Sequence, residues 1–388
     1  MHAYAFVVSL QFWMAIWVVY LMEYRSVSLF TVGLLETFYQ GVSVVGIIPA
    51  GALADRFGRR RMMFAGVAVE GLGILTLAHA ENLPLLLGAY TLWAIGGTVR
   101  DPASTAYLYE ALAADGRESD FSRVFGLFTA FTGVGFLVGG VAGGALAQIS
   151  SLQVPVLASA LSYVTALGIL LLLRDPPRVA NLSAPVDRTR YWRTLAAGAG
   201  VLKRDLAVRY LVLVTFGLGF AASAHVILMQ PFLQHHGVPL AAFGLILIPF
   251  RLGAAGASFW AYLIQQRLGF TRAFGLTTFL PIALLLSIAL IDHVWLIAAI
   301  GVIGMLSMAR TPLVADYLNR RTPSETRATV LSLRRFSNSA IMSIGGPLAG
   351  VLAERSLSLA FCALAVATAV VVVPSYALWL RADRVSRE

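Results

Sequence analysis

Charge is scarce in this chain. Only 12% of its 388 residues are Asp, Glu, Lys or Arg, while 59% are hydrophobic and the mean hydropathy is +0.79. Soluble domains carry about 25% charged residues, so the composition implies an integral membrane protein. Cysteine is nearly absent: a lone Cys362 excludes an intramolecular disulfide and a cysteine metal cluster. His235-His236 has no cysteine or carboxylate cluster beside it in the sequence, so neither metal nor cofactor is expected. No GxxxxGK[ST] segment is present to cradle ATP phosphates, and no nucleophile–base arrangement stands out, so an enzyme is not expected. The 29 Lys and Arg outnumber the 19 Asp and Glu, giving a net charge of +10. They form short scattered clusters. Cytoplasmic loops explain that distribution better than a nucleic-acid-binding stripe.

Spanning a bilayer takes about 20 apolar residues. Twelve stretches qualify, near residues 5–22, 29–53, 62–80, 83–111, 121–149, 153–173, 209–233, 239–265, 271–291, 294–318, 327–353 and 357–380. The first has no basic segment before it and no A-x-A-like site before Glu23, so it reads as a span, not a cleaved signal. With the N-terminus inside, the outer loops hold only Arg25 and Arg355, and the other loop arginines fall on the inner side. The reading is a multi-pass cell-membrane protein with both termini cytoplasmic.

The longest connection, 174–208, opens with Arg174-Asp-Pro-Pro-Arg178, and Tyr191–Asp205 within it reads as either a surface helix or plain linker. It separates an N-terminal six-helix bundle, 1–173, from a C-terminal one, 209–388. The halves repeat. Arg100-Asp-Pro…Tyr107-Leu108 recurs as Arg310-Thr-Pro…Tyr317-Leu318 at an offset of 210, and Arg56-Phe-Gly58 as Arg267-Leu-Gly269 at 211. Gly140-x-x-Gly143 recurs as Pro347-x-x-Gly350 at 207. Tandem six-helix repeats are a transporter architecture, with the substrate site near the midplane.

Between the second and third spans lies Gly51-Ala-Leu-Ala-Asp-Arg-Phe-Gly-Arg-Arg-Arg61. Hydrocarbon cannot hydrate such a turn, so it must surface, and its four arginines place it inside. The segment resembles the loop 2–3 signature of the major facilitator superfamily, G-x-L-x-D-R-x-G-R-[RK]-x. The resemblance implies an all-α membrane fold of twelve helices in two pseudo-symmetric six-helix bundles, working by alternating access. It also implies a gating role for Gly51, Asp55, Arg56, Gly58, Arg59 and Arg60, with Asp55 facing the start of span eleven near Thr326-Arg327-Ala328. Span five carries Gly135, Gly139, Gly140, Gly143 and Gly144, which resemble the antiporter signature g-x-x-x-G-P-x-x-G-G with Gly140 in place of proline. That resemblance implies export. Ala106-Tyr-Leu-Tyr-Glu110 and Arg327-Ala-Thr-Val-Leu-Ser332 are similar to bacterial drug-efflux-like members.

From the residues themselves, the glycines at i, i+4 and i+8 offer a smooth stripe for close helix packing, and Pro347 with Gly350 favours a bend in span eleven. Intramembrane charges must face the protein interior or water. Arg100 and Arg310 are repeat-mates beside Pro102 and Pro312, expected to serve the scaffold by bonding carbonyls freed at kinks. Asp101, Glu70 and Arg251 lack symmetric counterparts: Thr311, Leu280 and Gly41 lie opposite. Asp101 and Glu70 are therefore the proton-coupling candidates, with a standing ion pair, for instance to Arg251, as the alternative. Asp101 lies about 100° around the helix from Arg100, so the two are not expected to face each other simply. Arg334, Arg335, Asn338, Ser339 and Met342 form a polar stripe on span eleven. Trp13, Trp17, Tyr20, Phe38, Phe216, Phe220 and Trp260 are candidates for the apolar wall of a substrate cavity as a group, though helix packing or the interfacial belt is the better account of any single one. The expected function is proton-driven export of small lipophilic compounds by a single chain in the lipid bilayer. A nutrient importer or facilitator of the same fold is the alternative, and a membrane sensor or enzyme is the alternative of another class.

Overall fold

A computed structural model of the chain describes residues 1–174, 200–322 and 324–385. Within its helices, side chains 47–52, 54–56, 255, 258, 324–329, 331–333, 335–336 and 338–339 lie outside that description. Among the described residues there are helices and no strands. In chain order the α-helices are α1 His2–Val8, α2 Trp17–Val19, α3 Leu29–Phe57, α4 Arg59–His79, α5 Leu83–Ala114, α6 Phe121–Ile149 and α7 Gln153–Leu172. They continue as α8 Leu206–Ser223, α9 Met229–His235, α10 Leu240–Leu290, α11 Ile297–Arg321, α12 Ser324–Ala353 and α13 Leu357–Val385. Among the described residues, eight stretches are long and apolar enough to cross a membrane by length and composition, with shorter apolar helices at Leu240–Ala254 and Ala340–Ala353. Of the expected surface helix at Tyr191–Asp205, residues 200–204 are helical and 191–199 lie outside the described residues.

The first span departs from the continuous helix its apolar run predicts. It breaks after α1 into a 3-10 turn at Phe12–Ala15, α2, and a π turn at Tyr20–Tyr24. A break in hydrocarbon must have its backbone groups satisfied by neighbours. Here α7 supplies them: Ser162 Oγ donates to Leu10 O at 3.1 Å, and Ser159 Oγ accepts from Trp13 N at 3.3 Å. A second π turn, Ala224–Leu228, interrupts the seventh span.

Gly58 and Gly269 are the points where helices turn over at the signature segment and its repeat. They adopt φ 90°, ψ 148° and φ 76°, ψ 164°, a region that side chains disfavour strongly. The repeat seen in sequence is therefore a repeat of backbone conformation. Gly269 is also where α10 divides into two helical parts.

The chain forms two compact units. The first comprises Met1–Val27, Phe38–Val186 and Val238–Leu247; the second comprises Ser28–Thr37, Asp187–Gly237 and Ile248–Glu388. In the first, α4 packs against α5 and α7, and the broken first span packs against α6 and α7. In the second, α8 lies against α12 and α13 over a core that includes Leu211, Val214, Leu218, Phe274 and Trp379.

The span-five glycines serve two partners, one on each of two faces. Side chains at Gly135, Gly139 and Gly143 would collide with the backbone of the broken first span at Phe6, Leu10–Gln11 and Phe12. Gly144 faces Leu240, and Gly244 abuts Gly140, so the other face receives the start of α10. Span eleven is built the same way within the second unit. Gly345 faces Ser223 and Phe220 of α8, while Gly346–Pro347 and Gly350 meet Gly33 and Leu29–Phe30 of α3. Pro347 leaves Ser343 O without its helical donor, and Thr37 Oγ1 donates to that carbonyl at 2.9 Å.

Candidate functional site

The site begins with three glycines that let α4 and α5 touch. A Cβ on Gly96 would sit 2.5 Å from Glu70 N, one on Gly66 2.8 Å from Arg100 N, and one on Gly73 2.7 Å from Trp93 N. No residue with a side chain fits these positions, and the backbones close directly on each other. Glu70, near the middle of α4, is thereby set beside Arg100 and Asp101, near the middle of α5.

Arg100 binds both carboxylates. Its Nε lies 2.8 Å from Glu70 Oε2, an ionic contact without hydrogen-bond alignment, and Nη2 donates to Glu70 Oε1 at 3.4 Å. The same Nη2 lies 3.0 Å from Asp101 Oδ1. The sequence expectation is corrected on two counts. The guanidinium is long enough to curl back to its own neighbour despite the helical angle, and Arg100 bonds carboxylates, not a kink carbonyl. Tyr163 Oη donates to Glu70 Oε1 at 2.9 Å, and Gln11 Nε2 donates to Tyr163 Oη at 3.1 Å. Ser104 Oγ donates to Arg100 O at 2.9 Å and lies 3.4 Å from Tyr4 Oη. Side-chain exposure is 2% for Glu70, 15% for Arg100 and 70% for Asp101, so the cluster has a buried pole and an open pole. With both carboxylates ionised, two negative charges share one positive charge. The surplus negative charge attracts either a proton or another cation.

Aromatic rings wall this cluster. Trp93 lies 4.3 Å from Tyr39, 5.1 Å from Trp13 and 5.7 Å from Tyr90, centroid to centroid. Gly97 is buried next to them, and a Cβ placed there would meet Glu70 Oε1 and Tyr39 Oη at ordinary contact distance, 3.9 Å each.

Arg310, the repeat-mate of Arg100, is solved differently. It is buried, and Nη1 donates to Thr277 O at 2.9 Å while Nη2 donates to Ser307 Oγ at 3.4 Å. Thr277 O is the carbonyl that Pro281, four residues on, leaves without a helical donor. Arg310 thus does bond a proline-freed carbonyl, but on a neighbouring helix and not at its own Pro312. Arg334 Nη1 donates to Thr311 O at 3.5 Å. Arg251 is exposed on α10, and Arg100 takes both proton-coupling candidates.

In the signature segment, Arg59 Nε pairs with Glu110 Oε1 at 2.9 Å. Arg60 donates to the end of α7, Nε to Leu170 O at 3.1 Å and Nη2 to Leu171 O at 3.0 Å. The side chains of Asp55, Arg56, Arg335, Asn338 and Ser339, and the surroundings of Gly51, lie outside the described residues. Among the cavity candidates, Phe38 and Trp260 are exposed, Phe216, Phe220 and Met342 are half-buried, and Trp13 and Trp17 are buried. Tyr20 is fully buried and donates to Leu77 O at 2.8 Å, a helix-end contact. Arg25 joins it there, donating to Leu77 O at 3.2 Å and also to Ala78 O, which explains why an arginine stands at the C-terminal end of α4.

Sequence reasoning missed Tyr163, Gln11, Tyr39, Trp93 and the glycines 66, 73, 96 and 97. The spacing of Gly66 and Gly73 around Glu70 is the one signal that was available.

A Major Facilitator Superfamily profile matches residues 2–340. Over 247 residues the chain is 26% identical to the multidrug resistance protein MdtH of Aeromonas salmonicida (strain A449), covering 64% of this chain and 54% of that protein. Over 119 residues it is 33% identical to MdtH of Photorhabdus laumondii subsp. laumondii, covering 31% and 28% respectively. The chain thus aligns with about half the length, or less, of these curated relatives. Its fold resembles the nucleoside transporter NupG, with TM-score 0.74, 11% identity and coverage of 97% and 98%. It also resembles a bacterial homologue of the human lysosomal transporter Spinster, inward-facing and unoccupied, with TM-score 0.71, 18% identity and coverage of 98% and 95%. The chain belongs to the Major Facilitator Superfamily of membrane transporters.

Proposed function

We propose that this chain exports small lipophilic compounds across a bacterial cytoplasmic membrane in exchange for protons. It works as a monomer with both termini in the cytoplasm. The observation that carries the reading is the sharing of one guanidinium by two carboxylates, Glu70 and Asp101, near the middles of α4 and α5. Such a cluster has a place for one more positive charge, and a proton entering there changes the charge of the site by one. Asp55 and the signature arginines gate the cytoplasmic side, and the bundles 1–173 and 209–388, joined by 174–208, alternate access. The multidrug resistance names of the relatives support export of drug-like compounds.

The test is reconstitution of the purified chain in liposomes with an imposed pH gradient, followed by a panel of lipophilic dyes, sugars and organic acids. Export predicts accumulation of a lipophilic compound that collapses with the gradient and that Glu70→Gln or Asp101→Asn uncouples. Gradient-independent equilibration of one polar solute would overturn it in favour of a nutrient facilitator.

A further inference from the structure

We infer that Gln148 and Glu354 are a matched pair of latches that hold the outer side closed, each by binding the first backbone N–H groups of a helix from the other sequence half. The inference rests on the export reading and its topology, and adds the residues that set how readily the outer side opens.

Each half of the chain lends one helix start to the unit built mainly from the other half. Ser28–Thr37 belongs to the second unit, and Val238–Leu247 to the first. The two exchanges are built alike. On span eleven, Gly346, Gly350 and Glu354 follow at i, i+4 and i+8, and on span five Gly140, Gly144 and Gln148 do the same. A Cβ on Gly350 would lie 2.5 Å from Leu29 O at the start of α3, and one on Gly144 2.5 Å from Leu240 O at the start of α10. A turn deeper, Gly33 closes on Gly346–Pro347 as Gly244 closes on Gly140. A turn further out, a polar side chain takes the place of glycine. Glu354 Oε1 accepts from Phe30 N at 3.1 Å, and Gln148 Oε1 accepts from Leu240 N at 2.9 Å.

These bonds answer a need of the two helices, whose first N–H groups have no intrahelical acceptor. Ser28 Oγ accepts from Thr31 N at 3.2 Å, which leaves Phe30 N to Glu354. Pro239, just before α10, has no side-chain acceptor, so Leu240 N is left to Gln148. Both latch residues are exposed. Water therefore replaces each bond when the halves part, which suits a contact that is made and broken in every cycle. The latches differ in charge. Glu354 brings a carboxylate to the positive end of α3, whereas Gln148 brings a neutral amide, so the span-eleven latch is the stronger.

The experiment places a reporter at Thr37→Cys in a Cys362→Ser background. Thr37 lies two turns below the latch on the α3 face that meets span eleven, where its Oγ1 bonds Ser343 O. A membrane-impermeant maleimide added to intact cells reads how often this position opens to the outside. Glu354→Ala should speed labelling about fivefold or more. Gln148→Ala should speed it less, and the double variant more than either. Glu354→Gln keeps an acceptor oxygen and should stay within about twofold of the parent. Thermal unfolding in detergent identifies the folded variants. Unchanged labelling in folded Glu354→Ala overturns the inference, as does an equal rise in Glu354→Gln and Glu354→Ala. Labelling that needs permeabilisation, yet rises in the same variants, would sink the topology and leave the latches standing on the opposite face. Raised outside labelling without transport of any compound in liposomes would sink the export reading alone.

Discussion

Tyr163 is the residue on which the buried pole of the charge cluster hangs. It is 1% exposed, it donates to Glu70, and it receives Gln11. Tyr163→Phe removes the donor to a charged group and strands the Gln11 amide, with an expected loss of about 1.5–3 kcal/mol in stability. Denaturant unfolding in detergent measures it, and an unchanged midpoint would show that the hydroxyl carries no load. Arg100→Met should cost more, about 3–5 kcal/mol, because it leaves Glu70 buried without its counter-charge. Arg310→Met strands Thr277 O and removes the long bond to Ser307 Oγ, for about 1–3 kcal/mol. Replacing Pro281 by alanine in the same chain restores a backbone N–H to that carbonyl. The double variant Arg310→Met/Pro281→Ala should therefore be more stable than Arg310→Met alone by about 1 kcal/mol. Additive losses would mean that Arg310 has another task. None of these partners was legible from Arg100 and Arg310 themselves. The two arginines occupy equivalent positions in the repeat, and what differs is the helix opposite: a glutamate in one unit, a proline-freed carbonyl in the other.

At the scale of elements, helix contacts here are set by glycine. Gly58→Ala and Gly269→Ala should each cost about 1–3 kcal/mol, since both backbones lie where a Cβ is strained. The two losses should be alike, because the positions repeat one another, and thermal unfolding of the single variants compares them directly. Gly96→Val has no such escape: its side chain would overlap the Glu70 backbone, so α4 and α5 must separate. Loss of both folding yield and gradient-driven uptake is expected, whereas normal expression would contradict the direct backbone contact. The sequence showed the span-five glycines as a packing stripe. It did not show that alternate glycines address different neighbours, because the azimuth of each partner is fixed by the whole packing of the unit.

For the whole molecule, the arginine asymmetry predicts orientation. Cysteines introduced at Glu81 or Asp292 in a Cys362→Ser background should react with a membrane-impermeant maleimide in intact cells, and one at Glu118 only after permeabilisation. Labelling in the opposite sense would invert the topology. Arg25 shows why loop charge alone is an imperfect guide. It lies on the outer side in this orientation because α4 needs donors at its last carbonyls.

Membrane residence, the two-fold repeat and the family were all written in the chain. Hydropathy, loop charge and short spaced motifs are local properties that survive without knowledge of packing. The resemblance to the major facilitator superfamily rested on such motifs, and the profile match covers most of the chain. Tertiary structure alone decided which carboxylate meets which guanidinium, where the first span breaks, and which aromatics stand beside the charge cluster. Those depend on residues from α3, α4, α5 and α7 arriving at one depth and one azimuth. Separations such as 30 residues from Glu70 to Arg100 and 93 from Glu70 to Tyr163 are closed only by the folded unit.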